Sequence, residues 1–238
     1  ASAFKIALSD ASNSIRVQAA TSVAKIERDF GKKLARIETA RGKDPRNPYL
    51  TMALGAGSVT PMQMATAYSV FANGGYRVNP WLISRVTDQK GKVLVETQPP
   101  LLTEAARAVD ARNAFIMTSI MGDVVRRGTA AKAATLGRHD LAGKTGTTND
   151  QFDAWFAGFQ RTVVAVAWMG YDQPKSLGGS ETGGQAALPM WMSYMGKVLK
   201  NVPEHQPTVP EGVVVQTHDS GNGLVNEYYY QEYTQTNP

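Results

Sequence analysis

The most informative part of the chain is residues 141–148, LAGKTGTT, which are followed by residues 153–158, DAWFAG. Both runs indicate β-strands. The first places a lysine ammonium, threonine hydroxyls and a glycine on one extended segment, and such a segment can hold a carboxylate. Gly146 lets the backbone of a ligand lie close against the strand. A short polar turn at a strand end can have the same sequence, so only the surrounding residues can distinguish a binding site from a turn.

The surrounding chain predicts helices packed on a sheet. Strands around Lys144, over residues 154–160 and over residues 162–169 follow each other closely, as in an antiparallel meander. Helices are predicted over residues 14–30, from Pro61 to the glycine pair 74–75, from a cap at Asp110 to Gly128, and from Pro189 onwards. Residues 81–86 and 92–96 flank a turn and predict a hairpin. The predicted class is therefore α+β, an antiparallel β-sheet flanked by helices.

Apolar residues at helical spacing predict which faces are buried. In the helix from Pro61 they are Met64, Tyr68 and Phe71, and in the helix capped by Asp110 they are Ile116, Ile120 and Val124. We also assign several large side chains to core packing: Met62, Met64, Trp81, Trp155 and Trp191. Tyrosines 228–230 are interpreted as part of a strand that covers apolar surface, in preference to a partner-binding edge.

Composition predicts the domain organisation and excludes several classes of function. The 238 residues are 42% hydrophobic and 19% charged, as in globular proteins, and contain no Cys, which excludes disulfides, thiolate nucleophiles and zinc–thiolate sites. One domain is predicted over residues 1–202, and a linker with a small extended appendage over residues 203–238. The net charge of +5 is modest. The sequence has no basic block with interleaved aromatic residues, so nucleic-acid binding is not predicted. No apolar run approaches the ~20 residues that span a bilayer, and no metal site or cofactor is predicted.

Two Ser-x-x-Lys pairs could supply a nucleophile and its base. On a helix this spacing places both groups on one face. The pair Ser2 and Lys5 is favoured, because a small residue precedes it and an aromatic residue lies between the two. The pair Ser22 and Lys25 falls in the middle of a predicted helix and is interpreted as solvated surface. Such a lysine acts as a base only if burial or nearby positive charge keeps it neutral.

Other polar residues have simpler interpretations. Asn13 could contact a substrate amide, but the local sequence favours a helix cap before Ser14. The three histidines, His139, His205 and His218, occur in polar turns without an accompanying serine motif, so they are interpreted as surface residues.

Taken in order, these segments resemble the transpeptidase domain of class A penicillin-binding proteins, the bifunctional cell-wall synthases. Residues 1–5 (ASAFK) are similar to that family's nucleophile motif, and residues 141–149 (LAGKTGTTN) match its third motif. Residues 51–65 (TMALGAGSVTPMQMA) resemble its characteristic helix entry. Residues 71–75, 127–129 and 153–158 also fit, so that the match runs from about residue 48 to about residue 203. The resemblance implies the serine β-lactamase and penicillin-binding-protein fold.

The resemblance also implies a role for each matching residue. Ser2 is expected to be the acylated nucleophile and Lys5 its base, with Asn13 in the second motif beside the substrate amide. Lys144 is expected to support proton transfer. Thr145 and Thr147, on either side of Gly146, are expected to hold the carboxylate of a peptide stem or a β-lactam. The backbone N–H groups of residues 2 and 147 are expected to form the oxyanion hole.

The chain departs from the family pattern near its start. Only a few residues separate Lys5 from Asn13, where the family has a long segment, and Ile6 stands where a proline is expected. The second motif should be Ser-x-Asn. Anchoring on Asn13 leaves Ala11 at the serine position, and anchoring on Ser9 loses the asparagine. We therefore expect intervening residues to be missing near residues 5–14, and we expect the chain to be part of a longer protein.

The resemblance implies a D,D-transpeptidase that crosslinks peptidoglycan stem peptides ending in D-Ala-D-Ala through a serine acyl-enzyme and is acylated by β-lactams. The alternatives are a related serine hydrolase, either a β-lactamase or a D,D-carboxypeptidase, and a non-catalytic fragment that binds wall peptide or partners. Protein partners in the wall-synthesis machinery are expected. The expected location is the periplasmic face of the bacterial inner membrane, with the membrane anchor outside these 238 residues.

Overall fold

The computed structural model describes residues 57–219, 221 and 223–234. The helix predicted over residues 14–30 and the residues Ser2, Lys5 and Asn13 lie outside these ranges. Within them the helices are α1 (Pro61–Ala72), α2 (Ala111–Arg126) and α3 (Leu188–Val198). The strands are β1 (Arg85–Thr87), β2 (Val93–Glu96), β3 (Ala142–Thr147), β4 (Asp153–Gln160), β5 (Val163–Gly170), β6 (Val213–Asp219) and β7 (Leu224–Tyr230). No helix within the described ranges is long and apolar enough to cross a bilayer.

Helix α1 begins at the predicted capping box. The backbone N–H of Gln63 donates to Thr60 Oγ1 at 3.2 Å, and the backbone N–H of Thr60 donates to Gln63 Oε1 at 2.8 Å. Pro61 occupies the first turn, where no helical acceptor is available for an N–H. The helix ends at Ala72, just before Gly74 and Gly75, which both adopt positive φ. The predicted helix and its boundaries are therefore confirmed.

Helix α2 buries two faces, of which the sequence predicted only part. Its N-terminus is capped as expected, with the Arg112 N–H donating to Asp110 Oδ1 at 2.9 Å. Of the predicted stripe, Ile116 is fully buried, whereas Ile120 and Val124 are half-buried. The face that packs toward the sheet carries Ala114, Met117, Met121 and Val125.

Strands β3, β4 and β5 form an antiparallel sheet in that order, as predicted for a meander. Lys144 pairs with Ala157, and Ala157 pairs with Val166. Every residue of the central strand β4 is buried. Its side chains alternate between two cores, which explains why this antiparallel strand is apolar at nearly every position.

The two cores lie on opposite faces of the sheet. Trp155, Ala157 and Phe159 of β4 pack with α1 and α2, while Ala154 and Phe156 pack with α3. Helix α3 sits close to the sheet because Gly158 of β4 has no side chain, and its partner Gly143 on β3 leaves room for the Phe156 ring. A Cβ at Gly158 would lie only 2.8 Å from the Trp191 ring.

Two of the large side chains assigned to the core are in fact exposed. Met62 is 51% exposed and Trp81 is 44% exposed, so this part of the prediction was wrong. Met62 lies in the first turn of α1 on the side away from the sheet. Trp81 precedes the β1–β2 hairpin, whose strand residues are all exposed. Met64, Trp155 and Trp191 are buried as predicted.

The chain after α3 packs against helix α2. Strands β6 and β7 form a hairpin in which Val213 pairs with Tyr230 and Val215 with Tyr228. The Tyr228 ring contacts Phe115 of α2 edge-on, with ring centroids 4.9 Å apart. The tyrosine strand therefore covers apolar surface on α2, as the sequence predicted.

A buried ion pair ties the start of β3 to the segment after α3. The Asp140 side chain is only 2% exposed, and its carboxylate accepts hydrogen bonds from Arg138 at 2.8 Å, from Gln160 Nε2 at 3.0 Å and from the His205 N–H at 3.1 Å. The Arg138 guanidinium also donates to the carbonyl oxygens of Leu199 and Val202. The entry to β3 is thereby held against residues 199–205.

Removing the Asp140 charge is expected to destabilise the fold. In Asp140→Asn the buried Arg138 loses its counter-ion, which typically costs about 3 kcal/mol in the free energy of unfolding. Urea denaturation followed by circular dichroism measures this change. The matched control is Glu96→Gln, which breaks the exposed Arg85–Glu96 pair and should cost less than about 1 kcal/mol. Equal effects of the two substitutions would contradict the assignment.

The same carboxylate predicts a loss of stability in acid. Burial by itself raises the pKa of Asp140, but hydrogen bonds from Arg138, the His205 N–H and Gln160 outweigh it, so that the pKa lies below its usual value. A group whose pKa is lower in the folded state stabilises the protein above its unfolded pKa, and this contribution is lost as the pH falls through the folded pKa. The free energy of unfolding should therefore fall from about pH 4 downwards. Asp140→Asn should lack this component and show a shallower acid slope.

Candidate active site

Strand β3 places the predicted site residues at the edge of the described sheet. Lys144, Thr145, Gly146 and Thr147 are its last four residues, and each pairs with a buried residue of β4. Lys144 is 6% exposed and Thr145 is 8% exposed, whereas Thr147 is half-buried. The structure therefore brings a lysine and two threonines together on a strand with a rigid, fully buried neighbour.

The Lys144 ammonium lies beside oxygen atoms of the next residue. Its Nζ is 3.3 Å from the Thr145 carbonyl oxygen and 3.4 Å from Thr145 Oγ1. A buried ammonium needs such acceptors, because desolvation of an isolated charge is costly. The Lys144 ammonium and the Thr145 hydroxyl are therefore adjacent.

A second threonine reaches the same hydroxyl from another part of the chain. Thr129 Oγ1, in the turn after α2, is 2.8 Å from Thr145 Oγ1. Sequence reasoning noted residues 127–129 as part of the family pattern but assigned them no role. The adjacency depends on how α2 packs against β3, so spacing along the chain could not reveal it.

The other threonine is held from the opposite direction. The Gly183 N–H donates to Thr147 Oγ1 at 3.0 Å. Gly183 lies flat on the backbone of the site, since a Cβ there would be 2.4 Å from the Trp155 carbonyl oxygen and 2.6 Å from that of Gly146. Only a glycine allows this approach. The sequence analysis missed Gly183, for which the pair Gly183–Gly184 ahead of Pro189 was the available signal.

Gly183 begins a π-helical turn, Gly183–Ala187, that runs directly into α3. Such turns are rare and occur frequently at functional sites. Here the π-helical turn lets the chain descend onto β3 before the regular helix starts. The Ala187 side of the turn is buried in the same core as Trp191, which anchors Gly183 in place.

The turn between β3 and β4 holds the loop that leads to Gly183. Asp150 and Gln151 both adopt positive φ, of 57° and 55°. Gln151 accepts from the Leu177 N–H at 2.9 Å, and its side-chain amide donates to the Gly179 carbonyl at 3.0 Å. Two residues in a sparsely populated conformation thus fix the loop beside the site.

At the start of β4, Asp153 supports the same turn. Its N–H donates to Thr148 Oγ1 at 2.8 Å, and its Oδ1 accepts from Trp168 Nε1 at 2.7 Å. Asp153 is 5% exposed, and its carboxylate accepts the Trp168 N–H. It is a structural residue of the turn, not a candidate acid or base.

The histidines take no part in this group. His139 is exposed and 3.5 Å from Glu204, and His218 is exposed and 3.8 Å from Glu227. The half-buried His205 contacts Arg161 at 2.8 Å. The prediction of surface histidines is therefore confirmed for His139 and His218. Across the described ranges, no three His, Asp or Glu side chains form a group that could hold a metal ion.

The arrangement can bind an anion but does not include a nucleophile within the described residues. An ammonium and two hydroxyls at the end of an edge strand suit a carboxylate. Ser2, Lys5 and Asn13 lie outside the described ranges, so their position relative to Lys144 stays a prediction.

Comparison with known proteins agrees with the resemblance found in the sequence. Residues 20–190 match the model of the penicillin-binding protein transpeptidase domain. The chain belongs to this transpeptidase family. The matched range contains Lys144–Thr147, Thr129 and Gly183, and it begins after Ser2, Lys5 and Asn13.

Curated members of the family are similar over most of the chain. Penicillin-binding protein 1A of Neisseria lactamica is 50% identical over 190 residues, which cover 79% of this chain and 23% of the relative. Penicillin-binding protein 1A of Pseudomonas aeruginosa is 41% identical over 220 residues, covering 73% of this chain and 26% of the relative. The chain therefore spans about a quarter of the length of these relatives.

Solved structures of penicillin-binding proteins share the fold. Penicillin-binding protein 1A from Haemophilus influenzae matches with a TM-score of 0.71 at 28% identity, covering 94% of this chain and 40% of that one. The PonA1 protein from Mycobacterium tuberculosis in complex with penicillin V matches with a TM-score of 0.57 at 24% identity, covering 71% and 46%. The predicted α+β transpeptidase fold is confirmed.

The close approach of Gly183 leads to a matched pair of substitutions. Gly183→Ala places a methyl group against two carbonyl oxygens of the site and should destabilise the chain by about 1–3 kcal/mol, as overpacking does. Gly179→Ala, in the same loop, has no atom within 4 Å of the added Cβ and should stay within about 0.5 kcal/mol of the parent. Thermal unfolding measures both. Amide chemical shifts of Gly146 and Thr147 should move only in Gly183→Ala, and their constancy would contradict the proposed packing.

Proposed function

We propose that this chain is the D,D-transpeptidase unit of a longer peptidoglycan synthase, acylated by stem peptides ending in D-Ala-D-Ala and by β-lactams. The observation that carries the proposal is the convergence of the Lys144 ammonium with the Thr145 and Thr147 hydroxyls on one edge strand. A D-Ala-D-Ala stem ends in a carboxylate, and a penicillin carries one in the equivalent place. Charge-assisted hydrogen bonds of this kind give both orientation and affinity.

The proposed reaction begins at Ser2. Its Oγ attacks the carbonyl carbon of the penultimate D-Ala while Lys5 accepts the hydroxyl proton. The peptide C–N bond then breaks, the terminal D-Ala leaves with that proton on its amine, and an acyl ester remains on Ser2. The amine of a neighbouring stem attacks the ester, forming the crosslink amide and returning a proton to Ser2. Asn13 is proposed to orient the substrate amide, and the N–H groups of residues 2 and 147 to bind the oxyanion.

Strand β3 would supply the far end of this site. Lys144 attracts the anionic stem and supports proton transfer near the hydroxyls, while Thr145 and Thr147 fix the carboxylate. With the carboxylate held on a rigid strand, the scissile carbonyl has a defined position relative to the nucleophile. Such positioning accounts for a large share of rate enhancement in acyl transfer.

Two other functions would use the same fold. A serine hydrolase would pass the acyl group to water instead of an amine, and a non-catalytic fragment would bind wall peptide without reacting. Identity of 50% to a penicillin-binding protein 1A favours transpeptidation over a β-lactamase. The short interval between Lys5 and Asn13 is the feature that favours the non-catalytic fragment.

The setting of the enzyme is part of the proposal. We propose residues 1–202 as the transpeptidase domain, with residues missing near 5–14, and residues 203–238 as a linker and appendage. Action on the periplasmic face of the inner membrane, with an anchor supplied by the longer protein, follows from the choice of substrate. Partners in wall synthesis are proposed on the same ground.

Intact-mass spectrometry after incubation with benzylpenicillin tests the proposal. The wild-type chain should gain the mass of one whole drug molecule, because the opened lactam ring stays attached, and the adduct should lie on a peptide containing Ser2. Ser2→Ala should abolish the adduct. Ser22→Ala, which alters the other Ser-x-x-Lys pair, should leave it unchanged.

Each outcome of the labelling experiment distinguishes the candidates. A stable adduct supports the transpeptidase, whereas an adduct that turns over quickly to hydrolysed drug supports a hydrolase. A folded wild-type chain that never gains mass supports the non-catalytic fragment. Loss of the adduct in Ser22→Ala but not in Ser2→Ala would identify Ser22 as the nucleophile. The mass of the unlabelled protein also tests whether residues are missing near 5–14: a mass equal to that of these 238 residues alone would contradict that proposal.

A further inference from the structure

Both threonine hydroxyls of β3 are already engaged by groups from elsewhere in the fold. Thr145 Oγ1 lies 2.8 Å from Thr129 Oγ1, and Thr147 Oγ1 lies 3.0 Å from the Gly183 backbone nitrogen. A hydroxyl has one proton to donate and two lone pairs that accept. If the protein fills both lone pairs, the hydroxyl can only donate its proton to a ligand; if the protein takes the proton, the hydroxyl can only accept.

For Thr147 the direction is set by chemistry. A backbone N–H can only donate, so Thr147 Oγ1 accepts from Gly183. The proton of the Thr147 hydroxyl is not used in this bond. Because Gly183 lies flat against Gly146 and has no Cβ to shift it, the accepting direction is fixed, and the proton of this half-buried hydroxyl points away from Gly183.

For Thr145 two donors are available. The Lys144 ammonium, whose Nζ lies 3.4 Å away, can only donate a hydrogen bond, so one lone pair of Thr145 Oγ1 faces it. Thr129 Oγ1 makes no other hydrogen bond among the described residues, so its proton is available for the second lone pair. With Thr129 as the donor in this hydroxyl pair, both lone pairs of Thr145 Oγ1 are filled and the Thr145 hydroxyl donates its own proton outward.

We infer that Thr129 is a positioning residue that, together with the Gly183 N–H, turns both β3 hydroxyls into donors and so makes this end of the site selective for a carboxylate over its neutral ester or amide. The inference rests on the proposed function, since the carboxylate is that of the stem peptide or the β-lactam. A carboxylate only accepts hydrogen bonds and accepts them strongly. An ester accepts weakly, and a terminal amide brings donors that two outward-pointing protons cannot satisfy.

A purely structural role for Thr129 makes a different prediction. Its carbonyl oxygen would lie 3.0 Å from a Cβ at Gly184, so the turn after α2 packs closely on the π-helical turn. If the hydroxyl only ties this turn to β3, removing it should affect every ligand to the same extent. The ratio of rates for acid and ester forms separates the two roles.

The test measures acylation of the 238-residue chain by benzylpenicillin and by its methyl ester, using intact mass against time. Thr129→Val keeps the shape but removes the hydroxyl, and Thr129→Ser restores it. Thr135→Val is the control, because the Thr135 hydroxyl donates only to the nearby Lys132 carbonyl. We expect Thr129→Val to lower the second-order rate with the acid about tenfold, as loss of an ordered charge-assisted hydrogen bond does. The rate with the ester should stay within about twofold.

The remaining outcomes overturn the inference or assign the failure elsewhere. Equal losses for acid and ester, or no loss with either, overturn it, as does a Thr129→Ser variant that behaves like Thr129→Val. A wild-type chain that neither compound acylates counts against the proposed function. The inference is then decided by titrating N-acetyl-D-Ala-D-Ala and its C-terminal amide against the Thr145 and Thr147 amide resonances. Preference for the acid that disappears in Thr129→Val supports it, and equal affinities in the wild type overturn it.

Discussion

Burial of β4 on both faces is the constraint on which the rest of this structure depends. A strand between two cores must be apolar along most of its length, as β4 is between its polar ends Asp153 and Gln160, and both of its neighbours must be in register with it. Gly158 lets α3 approach one face, while Phe159 and Trp155 meet α1 and α2 on the other. The strand cannot move without disturbing both cores, and it provides a rigid support for β3.

That support allows β3 to carry polar groups with little exposure. Lys144 and Thr145 are nearly as buried as core residues, so each of their polar atoms needs a partner. Thr129, in the turn after α2, is the partner of the Thr145 hydroxyl, and Gly183, in the π-helical turn, is the partner of the Thr147 hydroxyl. The groups that satisfy the hydroxyls also orient them.

Local signals in the sequence were sufficient where a structure depends on neighbours in the chain. The capping box at Thr60, the cap at Asp110 and the meander around Lys144 depend on contacts within a few residues, and all three are confirmed. Errors arose where burial depends on distant segments. Met62 and Trp81 are large and apolar, but the surfaces beside them are open. On α2 the periodicity predicted Ile116, which faces the C-terminal hairpin. It did not predict Met117 and Met121, whose burial depends on the sheet that follows later in the chain.

The amino-acid sequence determined the fold class and the family, and it predicted the four residues that we propose as a site on β3, because each of these is written in short motifs with a fixed order along the chain. Tertiary structure alone decided what completes the group around those residues. Thr129, Lys144 and Gly183 belong to three elements far apart in sequence, and no periodicity links them. Their convergence follows from helices packing on a doubly buried strand, where shape and burial select neighbours that spacing along the chain does not encode.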